Sequence, residues 1–459
     1  MHRRRFLATA AAGSTSALAF PHLTRAAADP TKLNMAVIGA GGMGGYAVGE
    51  AAAENLVAFC DVDDRRAEGA YKDHPDVPRF SDFRVMLEKL GGDIEAVCIS
   101  TPDHTHFPAA LACMEAGKHV FVQKPLTHNL WQGRTLLKAA RHYGVKTQMG
   151  NQGHTFEGIR LIKEWFEAGL LGEVREIHAW TDRPHGGWYP KSDPPLPAET
   201  VPDPLDWDSW LGPVTGIDGY NGAYLPGKWR GWWPFGAGGL GDIGCHTLDS
   251  PFYAMDLGMP ESVETTSEDR RPQLYPRASV ITYRFPALGG RPPVTMTWSE
   301  DGKKPEPPEG FDAISPPSAD GQQKSGLHDE GGLLMVGSER TLYHAGMRPN
   351  SPQLVMPHEE WRDFRRQGGL PDESIPRVKD GPIREWIRWI KGEGPEAGSN
   401  FEYACPLNEL VMVGCLALRS DTNFEWDSEN LAANGHPELD SYIKEPVRDG
   451  WSFGENLWT

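Results

Sequence analysis

Short, uninterrupted apolar runs alternate with longer amphipathic stretches in the first third of the chain. The runs are Met35 to Ile38, LVAFC at 56–60, EAVCIS at 95–100 and HVFV at 119–122. Strands without polar alternation are buried on both faces, and amphipathic helices between them indicate a parallel sheet covered on both sides. A helical pattern from Thr127 to Tyr143 precedes a last strand, VKTQMG. The pattern therefore predicts a doubly wound α/β domain over residues 29–150.

The hydrophobic pattern changes after residue 150. A helix is expected at Phe156 to Ala168 and another within DIGCHTLDSPFYAMDLG, separated by residues 184–236, which are rich in Pro, Gly and Trp and indicate a long ordered loop region. The segments EVREIHAWTD, SVETTSED, SVITYRFP, PVTMTWSE, LLMVGSE and RTLYHA are typical of strands with one buried face. Strands in succession favour an open, mostly antiparallel sheet.

Residues 151–459 are therefore predicted to form an α+β domain for substrate binding and oligomerisation. Asp301 to Asp329 shows no periodicity and is expected to be an insertion loop. Helical patterns at Ile383 to Lys391 and Leu407 to Leu418 are expected to pack back on the core. We expect a homo-oligomer that assembles through the sheet of this domain.

Residues 1–28 have the composition of a targeting segment. Arg3-Arg4-Arg5-Phe6-Leu7 is followed by an apolar run of small residues up to Phe20 and by Ala26-Ala27-Ala28, an A-x-A cleavage pattern. The Arg-Arg-x-Phe-Leu pattern resembles the twin-arginine signal, which exports proteins already folded. We expect a periplasmic or otherwise exported protein without a membrane anchor. A basic, disordered tail is the alternative.

Composition restricts the partners. The chain has 459 residues, with 45 Lys and Arg against 63 Asp and Glu, a net charge of −18. Nucleic acids and anionic membranes need clustered cations, so neither is expected as a partner. The 6 cysteines show no C-x-x-C spacing and are expected to be free thiols. The 16 tryptophans are compatible with a sugar-binding cleft, although core packing explains most of them.

A glycine-rich turn after the first predicted strand indicates dinucleotide binding. Glycines at this spacing allow a tight turn and bring backbone N–H groups close to a pyrophosphate. Asp61, at the end of the next strand, is placed to accept hydrogen bonds from the adenosine ribose, which favours NAD. Arg65 and Arg66 leave NADP open. The turn residues assigned to the cofactor are Gly39, Gly41, Gly42, Met43 and Gly44.

Two polar segments follow the next two strands at the edge where ligands bind in an open α/β sheet. The first is Ser100-Thr101-Pro102-Asp103-His104-Thr105-His106, from which Thr101, Pro102 and His106 are assigned to the cofactor. Its alternative role is to cap a helix that begins near Pro108. The second is Gln123-Lys124-Pro125, in which Gln123 and Lys124 are assigned to the cofactor and Lys124 is also expected to donate to a substrate hydroxyl or transfer its proton.

The segment GGLGDIGCHTLD is expected to line the substrate site. Asp242 and His246 are four residues apart and share one face of a helix. His246 titrates near neutrality and is a candidate base, with Asp242 orienting it or binding a neighbouring hydroxyl. No metal is expected, because Asp242, His246 and Asp249 lack further ligands. Weaker candidates for substrate contact are Asn151, His154, Arg183 and Trp232.

These motifs together resemble the Gfo/Idh/MocA oxidoreductases, the family of glucose-fructose oxidoreductase and inositol dehydrogenase. The similarity runs from about Leu33 to the C-terminal helices. The family's E-K-P motif appears here as Gln123-Lys124-Pro125, and its D-x-x-x-H pair matches Asp242 and His246. The resemblance implies a Rossmann domain, a nicotinamide cofactor and catalysis by Lys124, Asp242 and His246, while glutamine in place of glutamate changes the electrostatics beside the lysine.

We therefore expect an NAD-using or NADP-using oxidoreductase that transfers hydride between a sugar, glycoside or cyclitol hydroxyl carbon and a tightly bound nicotinamide. A second hypothesis is a redox-neutral, NAD-dependent glycosidase that oxidises, eliminates, hydrates and reduces its substrate. A third is a non-catalytic protein that senses a nucleotide or sugar; only Gln123 supports it, and intact Lys124, Asp242 and His246 argue against it.

Overall fold

The computed structural model describes residues 29–314 and 326–458. The predicted targeting segment, 1–28, lies outside the described residues, and so does part of the predicted insertion loop. The described parts of that loop, 301–314 and 326–329, contain one short 3-10 helix, Phe311–Ala313. Residues from Leu33 onward form one compact unit.

The first part of the chain folds into a parallel sheet, as its apolar runs predict. Its six strands lie in the order β3-β2-β1-β4-β5-β6 and all pair in parallel. The strands are β1 (Asn34–Ile38), β2 (Asn55–Cys60), β3 (Arg79–Phe80), β4 (Ala96–Ile99), β5 (His119–Val122) and β6 (Thr147–Met149). The connecting helices are α1 (Gly44–Ala52), α2 (Asp64–Asp73), α3 (Phe83–Leu90), α4 (Asp103–Glu115) and α5 (Leu130–Tyr143). This Rossmann arrangement confirms the predicted fold.

Two helix starts differ from the expectation. Helix α4 begins at Asp103 and not near Pro108, so the proline lies in the second turn and neither Thr101 nor Asp103 caps the helix through its side chain. Helix α5 begins at Leu130 and not at Thr127, because Asn129 and Gln132 form a capping box there. The earlier start of α4 brings Asp103, His104 and His106 into its first turn, where all three are buried.

The second part of the chain forms an open sheet of nine strands. Their order is β13-β12-β11-β7-β10-β9-β8-β14-β15, and only the pair β7 and β10 is parallel among the described strand pairs of this sheet. The strands are β7 (Val174–Thr181), β8 (Ser262–Glu268), β9 (Ala278–Phe285), β10 (Val294–Ser299), β11 (Gly331–Gly337), β12 (Thr341–Ala345), β13 (Gln353–Leu354), β14 (Phe424–Asp427) and β15 (Ala432–Asn434). The mostly antiparallel sheet is the predicted one.

The remaining helices follow α5 along the chain. They are α6 (Glu157–Glu167), α7 (Trp207–Leu211), α8 (Gly238–Thr247), α9 (Asp249–Met255), α10 (His358–Arg366), α11 (Gly381–Lys391), α12 (Phe401–Ser420) and α13 (Asp440–Ile443). The single helix expected over DIGCHTLDSPFYAMDLG is divided at Leu248 into α8 and α9. Residues 184–236 contain short helices around an aromatic cluster of their own.

Two helices from the end of the chain pack against the Rossmann part. Ile383, Trp386 and Ile387 of α11 join the core that covers one face of the first sheet. Helix α12 contacts α5 and α8. Within the described residues, α12 is the one helix long and apolar enough to cross a membrane, and 83% of its apolar window is buried inside the protein. It is therefore a core helix that supports α8 from behind.

Candidate active site

One cavity of about 570 Å³ lies at the carboxyl ends of the first sheet's strands. Its size is in the range of small-molecule sites. One end is lined by the glycine turn after β1 and by Asp61 after β2; the other is lined by Lys124 after β5 and by Asp242 and His246 on α8. The predicted cofactor and catalytic segments therefore meet in one cavity.

The glycine turn has the backbone geometry that its sequence predicts. Gly39 has φ +81°, in the left-handed region, and a Cβ on it would stand 2.7 Å from the Ser100 carbonyl oxygen. Gly44 opens α1, and a Cβ there would lie 1.8 Å from the Gly39 carbonyl oxygen. Gly44 does not line the cavity; it permits the close packing of helix on turn, which is the third glycine's function in this motif. Gly39, Gly41, Gly42 and Met43 line the cavity.

Asp61 organises the turn. Its Oδ2 accepts hydrogen bonds from the backbone N–H groups of Ala40 at 2.8 Å and Gly41 at 3.1 Å, and its Oδ1 accepts one from Asp63 at 3.0 Å. Burial raises the pKa of Asp61, and these three donors oppose that shift. Arg65 is paired with Asp63 at 2.7 Å, whereas Arg66 lines the cavity over Gly42.

Three buried polar atoms on the cavity wall have no hydrogen-bond partner in the described part of the chain: Ser100 Oγ, Thr101 Oγ1 and Gln123 Nε2. Buried polar groups in proteins are normally satisfied, so three unsatisfied atoms on residues that line one cavity point to a ligand that satisfies them. They follow β4 and β5, beside the glycine turn. This chemistry, hydroxyls and an amide next to a turn of backbone N–H groups, fits the amide, ribose and pyrophosphate of a dinucleotide.

Lys124 and Asp242 form the charged centre of the other end. Lys124 Nζ donates to Asp242 Oδ1 at 2.8 Å and to the Asp242 carbonyl oxygen at 2.6 Å, which uses two of its three N–H donors. Arg230 Nε also donates to Oδ1, at 3.0 Å, and Arg183 Nε lies 3.8 Å from Oδ2. Burial alone would raise the pKa of Asp242, but the charges of Lys124 and Arg230 outweigh it and hold that pKa well below its usual range.

His246 is oriented by Asn151 and not by Asp242. The Asn151 amide donates to the Cys245 carbonyl oxygen at 2.6 Å and to Asp249 Oδ2 at 2.9 Å, so its Oδ1 faces His246 Nδ1 at 2.7 Å and must accept a proton from it. The neutral ring then carries its proton on Nδ1 and leaves Nε2 unprotonated. Burial and the charges of Lys124 and Arg348 lower the pKa of His246 well below its usual value. His246 is therefore a neutral proton acceptor, as a general base must be.

Several predicted contacts lie behind the cavity wall. The two ring nitrogens of His106 lie 2.9 and 2.8 Å from the carbonyl oxygens of Thr101 and Pro125, and the neutral ring donates to one of them, between two wall loops. His154 is bound to Asp249 at 3.0 Å, and Trp232 is fully buried in the aromatic cluster, where its Nε1 donates to Ala223. Together with Asn151 these residues support the wall, and their side chains do not line the cavity. Thr101, Pro102, Gln123 and Arg183 do line it.

The cavity also contains residues that sequence patterns did not single out. Arg348 and Met347 come from the loop after β12, and Gln152 follows Asn151. Arg348 Nη2 donates to Gln152 Oε1 at 2.9 Å and lies 3.5 Å from His246 Nε2. No periodicity or motif marks this loop; its position beside His246 results from the pairing of β11 with β7. Arg230 and Trp229, from the loop region 184–236, also line the cavity.

Within the described residues, no group of three or more His, Cys, Asp or Glu side chains is arranged to hold a metal ion. Asp249, a conceivable zinc ligand beside Asp242 and His246, is instead bound to Asn151, His154 and the Tyr403 hydroxyl. The six cysteines are buried free thiols.

The chain combines a Rossmann sheet and its glycine turn with a second, open sheet, and Asp242 of helix α8 contacts Lys124. This combination is typical of nicotinamide-dependent oxidoreductases. The family model described as "Oxidoreductase family, NAD-binding Rossmann fold" matches residues 33–151, and its companion, "Oxidoreductase family, C-terminal alpha/beta domain", matches residues 159–287. The two matches cover more than half of the chain. The protein belongs to the Gfo/Idh/MocA oxidoreductase family.

Similar proteins include sugar and cyclitol dehydrogenases. The chain is 32% identical over 111 residues to scyllo-inositol 2-dehydrogenase (NADP(+)) IolW of Bacillus subtilis, covering 24% of this chain and 30% of the relative. It is 31% identical over 164 residues to inositol 2-dehydrogenase of Rubrobacter xylanophilus, covering 33% of this chain and 44% of the relative. These matches thus span less than half of each relative's length.

Solved structures share the fold at low sequence identity. WlbA dehydrogenase from Bordetella pertussis, in complex with NADH and UDP-GlcNAcA, has a TM-score of 0.58 at 16% identity, covering 86% of this chain and 99% of that one. Levoglucosan dehydrogenase, in complex with NADH and levoglucosan, has a TM-score of 0.53 at 17% identity over the same shares of the two chains. Both likenesses extend over the two sheets and establish the shared architecture.

Proposed function

We propose that this protein is an NAD-dependent oxidoreductase that oxidises or reduces a hydroxyl-bearing carbon of a sugar, glycoside or cyclitol. The observation that carries the proposal is the single cavity in which a dinucleotide turn, a lysine and a neutral histidine face one another. Relatives that act on inositol and a structural neighbour that binds levoglucosan support a polyhydroxylated substrate.

Different side chains have different roles in such a reaction. A bound nicotinamide supplies the hydride acceptor when a hydroxyl is oxidised and the hydride donor when a carbonyl is reduced. His246 Nε2 takes the hydroxyl proton, because Asn151 fixes the ring proton on Nδ1. Lys124 donates its remaining N–H to the substrate oxygen and is held in position by its hydrogen bond to Asp242. Asp242 also holds Arg230 against the cavity.

NAD is the proposed cofactor. Asp61 lines the adenosine side of the cavity, and a carboxylate there binds ribose hydroxyls and repels a 2′-phosphate. Arg65, one of the two arginines that leave NADP open, is held by Asp63. Arg66 remains on the cavity wall and is the residue through which NADP would bind.

Export and tight cofactor binding belong to the same proposal. The twin-arginine pattern at residues 1–28 favours export of the folded protein, with NAD taken up before export. Outside the cytoplasm little free nucleotide replaces what dissociates, so a slow cofactor off-rate follows. We propose that copies assemble through the second sheet, where β10 alternates buried and partly exposed residues.

A second candidate is a redox-neutral reaction in which a sugar is oxidised, undergoes elimination or hydration, and is reduced again. The presence of two separate proton-transfer groups, Lys124 and His246, favours it because elimination needs both an acid and a base. A relative, 2,7-anhydro-N-acetylneuraminate hydratase of Escherichia coli, is 24% identical over 140 residues, covering 30% of this chain and 36% of the relative. Its name indicates such net hydration in that protein.

Nucleotide binding tests the proposal. Purified protein, first freed of any nucleotide that it retains, is titrated calorimetrically with NAD and with NADP, and the same is done for Asp61→Ala and for Asp73→Ala, a control at an exposed carboxylate at the end of α2. We expect one NAD per chain, a loss of preference for NAD over NADP in Asp61→Ala, and no change in Asp73→Ala. Absence of binding of either nucleotide to the parent protein would overturn the proposal.

A further inference from the structure

The substrate end of the cavity carries more positive than negative charge. Four cationic side chains line it: Lys124, Arg183, Arg230 and Arg348. Three carboxylates compensate them, and one of these is Asp103, whose pKa burial raises to about 7. Asp242 is shared by Lys124 and Arg230, and Asp182 pairs with Arg183 at 2.8 Å. The remaining cation is Arg348.

Arg348 forms no ion pair within residues 29–314 and 326–458. Its Nη2 donates to Gln152 Oε1 at 2.9 Å, and its Nε is buried without a hydrogen-bond partner. Burial lowers the pKa of this guanidinium. An arginine that is partly removed from water and has no carboxylate at ion-pair distance, only the more distant charge of Asp242, is costly to hold, and its planar fork matches carboxylate and phosphate geometry.

The distance between Arg348 and His246 indicates which charge the ligand of Arg348 should carry. Arg348 Nη2 lies 3.5 Å from Nε2 of His246, the atom that takes the substrate proton under the proposed function. A cation at this distance opposes protonation of the histidine. A neutral sugar hydroxyl leaves that charge uncompensated, whereas an anionic group bound to Arg348 cancels it at the moment when His246 becomes positive.

Resting on the proposed function, we infer that the natural substrate is an anionic sugar, one that carries a carboxylate or a phosphate, and that Arg348 binds this group beside His246. Arg348 thereby selects the substrate. Its second effect is to make proton transfer to His246 depend on the presence of the anion.

Binding to protein saturated with NAD tests the inference, since the cofactor's own phosphates are then already bound. The probes share one ring and differ only at carbon 6: D-glucose, D-glucuronate and D-glucose 6-phosphate, with the galactose series alongside. We expect at least one anionic member to bind about tenfold or more tightly than its neutral counterpart, as for a charge-assisted hydrogen-bonded pair. The two anionic arms show whether the group is a carboxylate or a phosphate.

Variants assign the effect to Arg348. Arg348→Met should remove the preference for the anion, and Arg348→Lys should keep part of it because it keeps the charge. Lys228→Met is the matched control, since Lys228 is an exposed cation on the neighbouring loop that does not line the cavity. Thermal unfolding and NAD titration of each variant verify that the fold and the cofactor site are intact.

The inference is overturned if no anionic sugar binds more tightly than its neutral counterpart, or if the preference persists unchanged in Arg348→Met. In both cases retained NAD binding by the parent protein leaves the proposed function standing. Loss of NAD binding would instead contradict the proposed function itself, so the two failures are distinguishable.

Discussion

The two ends of the cavity are built in different ways. The cofactor end comes from segments that directly follow β1, β2 and β4, with Gln123 after β5, and it presents backbone N–H groups, the Asp61 carboxylate and unpartnered polar groups. The substrate end combines Lys124 after β5 with α8, the loop around Arg230 and the loop after β12, and it presents charged side chains. The difference implies that changes at the first end should alter affinity for the nucleotide, while changes at the second should alter turnover.

Removing the proton-transfer groups should have the largest effect on turnover. Lys124→Ala and His246→Ala should each lower turnover by about 10²–10⁴-fold, the usual contribution of general acid and base groups. NAD affinity, measured by calorimetry, should stay near the parent value because neither residue belongs to the glycine turn. Parent-like turnover in both variants would remove them from the reaction, and a large loss of NAD affinity would contradict the separation of the two ends.

Removing the group that orients His246 should have a smaller effect. Asn151→Ala frees the ring to carry its proton on either nitrogen, so turnover should fall roughly 10–100-fold, by analogy with residues that orient histidine ligands. The acid limb of the pH profile for kcat/KM should also change shape, which a purely structural loss would not produce. A variant that is less stable to heat but retains the parent turnover and pH profile would show that Asn151 stabilises the fold and does not orient His246 for the reaction.

The sequence predicts the cofactor end better than the substrate end. The glycine turn and Asp61 lie within one β-α-β unit, so local spacing is enough to place them together. The sequence misassigned three side chains, His106, His154 and Trp232, to the cavity. Their actual partners, such as Asp249 for His154, come from distant segments that no local pattern reveals. Arg348 is 102 residues from His246 along the chain, and only the sheet's topology brings the two together.

A substitution at the cofactor end should change the affinity for the nucleotide. Gln123 Nε2 is buried and unpartnered on the cavity wall, so Gln123→Glu replaces a donor with an acceptor and adds a charge. We expect NAD affinity to fall by about tenfold, in line with the cost of a lost buried hydrogen bond. Gln367→Glu, at an exposed position after α10, is the control. Tighter NAD binding in Gln123→Glu would show that the amide does not donate to the cofactor.

The smallest expected effect concerns pH. The pKa of His246 is lowered, so the histidine stays neutral and able to accept a proton below its usual pKa, and its protonation should not reduce kcat/KM between pH 8 and about 6.5. Arg348→Met removes one of the charges that lower this pKa, so the acid limb should move to higher pH, with a few-fold loss of rate near pH 6. An acid limb that stays in place would mean that Arg348 does not act on His246.

If nucleotide and sugar meet in one cavity and exchange a hydride there, isotope transfer detects the exchange. The protein is loaded with NAD and mixed with carbon-deuterated glucuronate, glucose or myo-inositol. The nicotinamide cofactor is then extracted, and its deuterium content is measured by mass spectrometry. We expect deuterium on the nicotinamide of the parent protein and at least a hundredfold slower labelling in His246→Ala. This result is expected whether the overall reaction is a net oxidation or redox-neutral. Bound NAD that gains no deuterium from any of these sugars would contradict it.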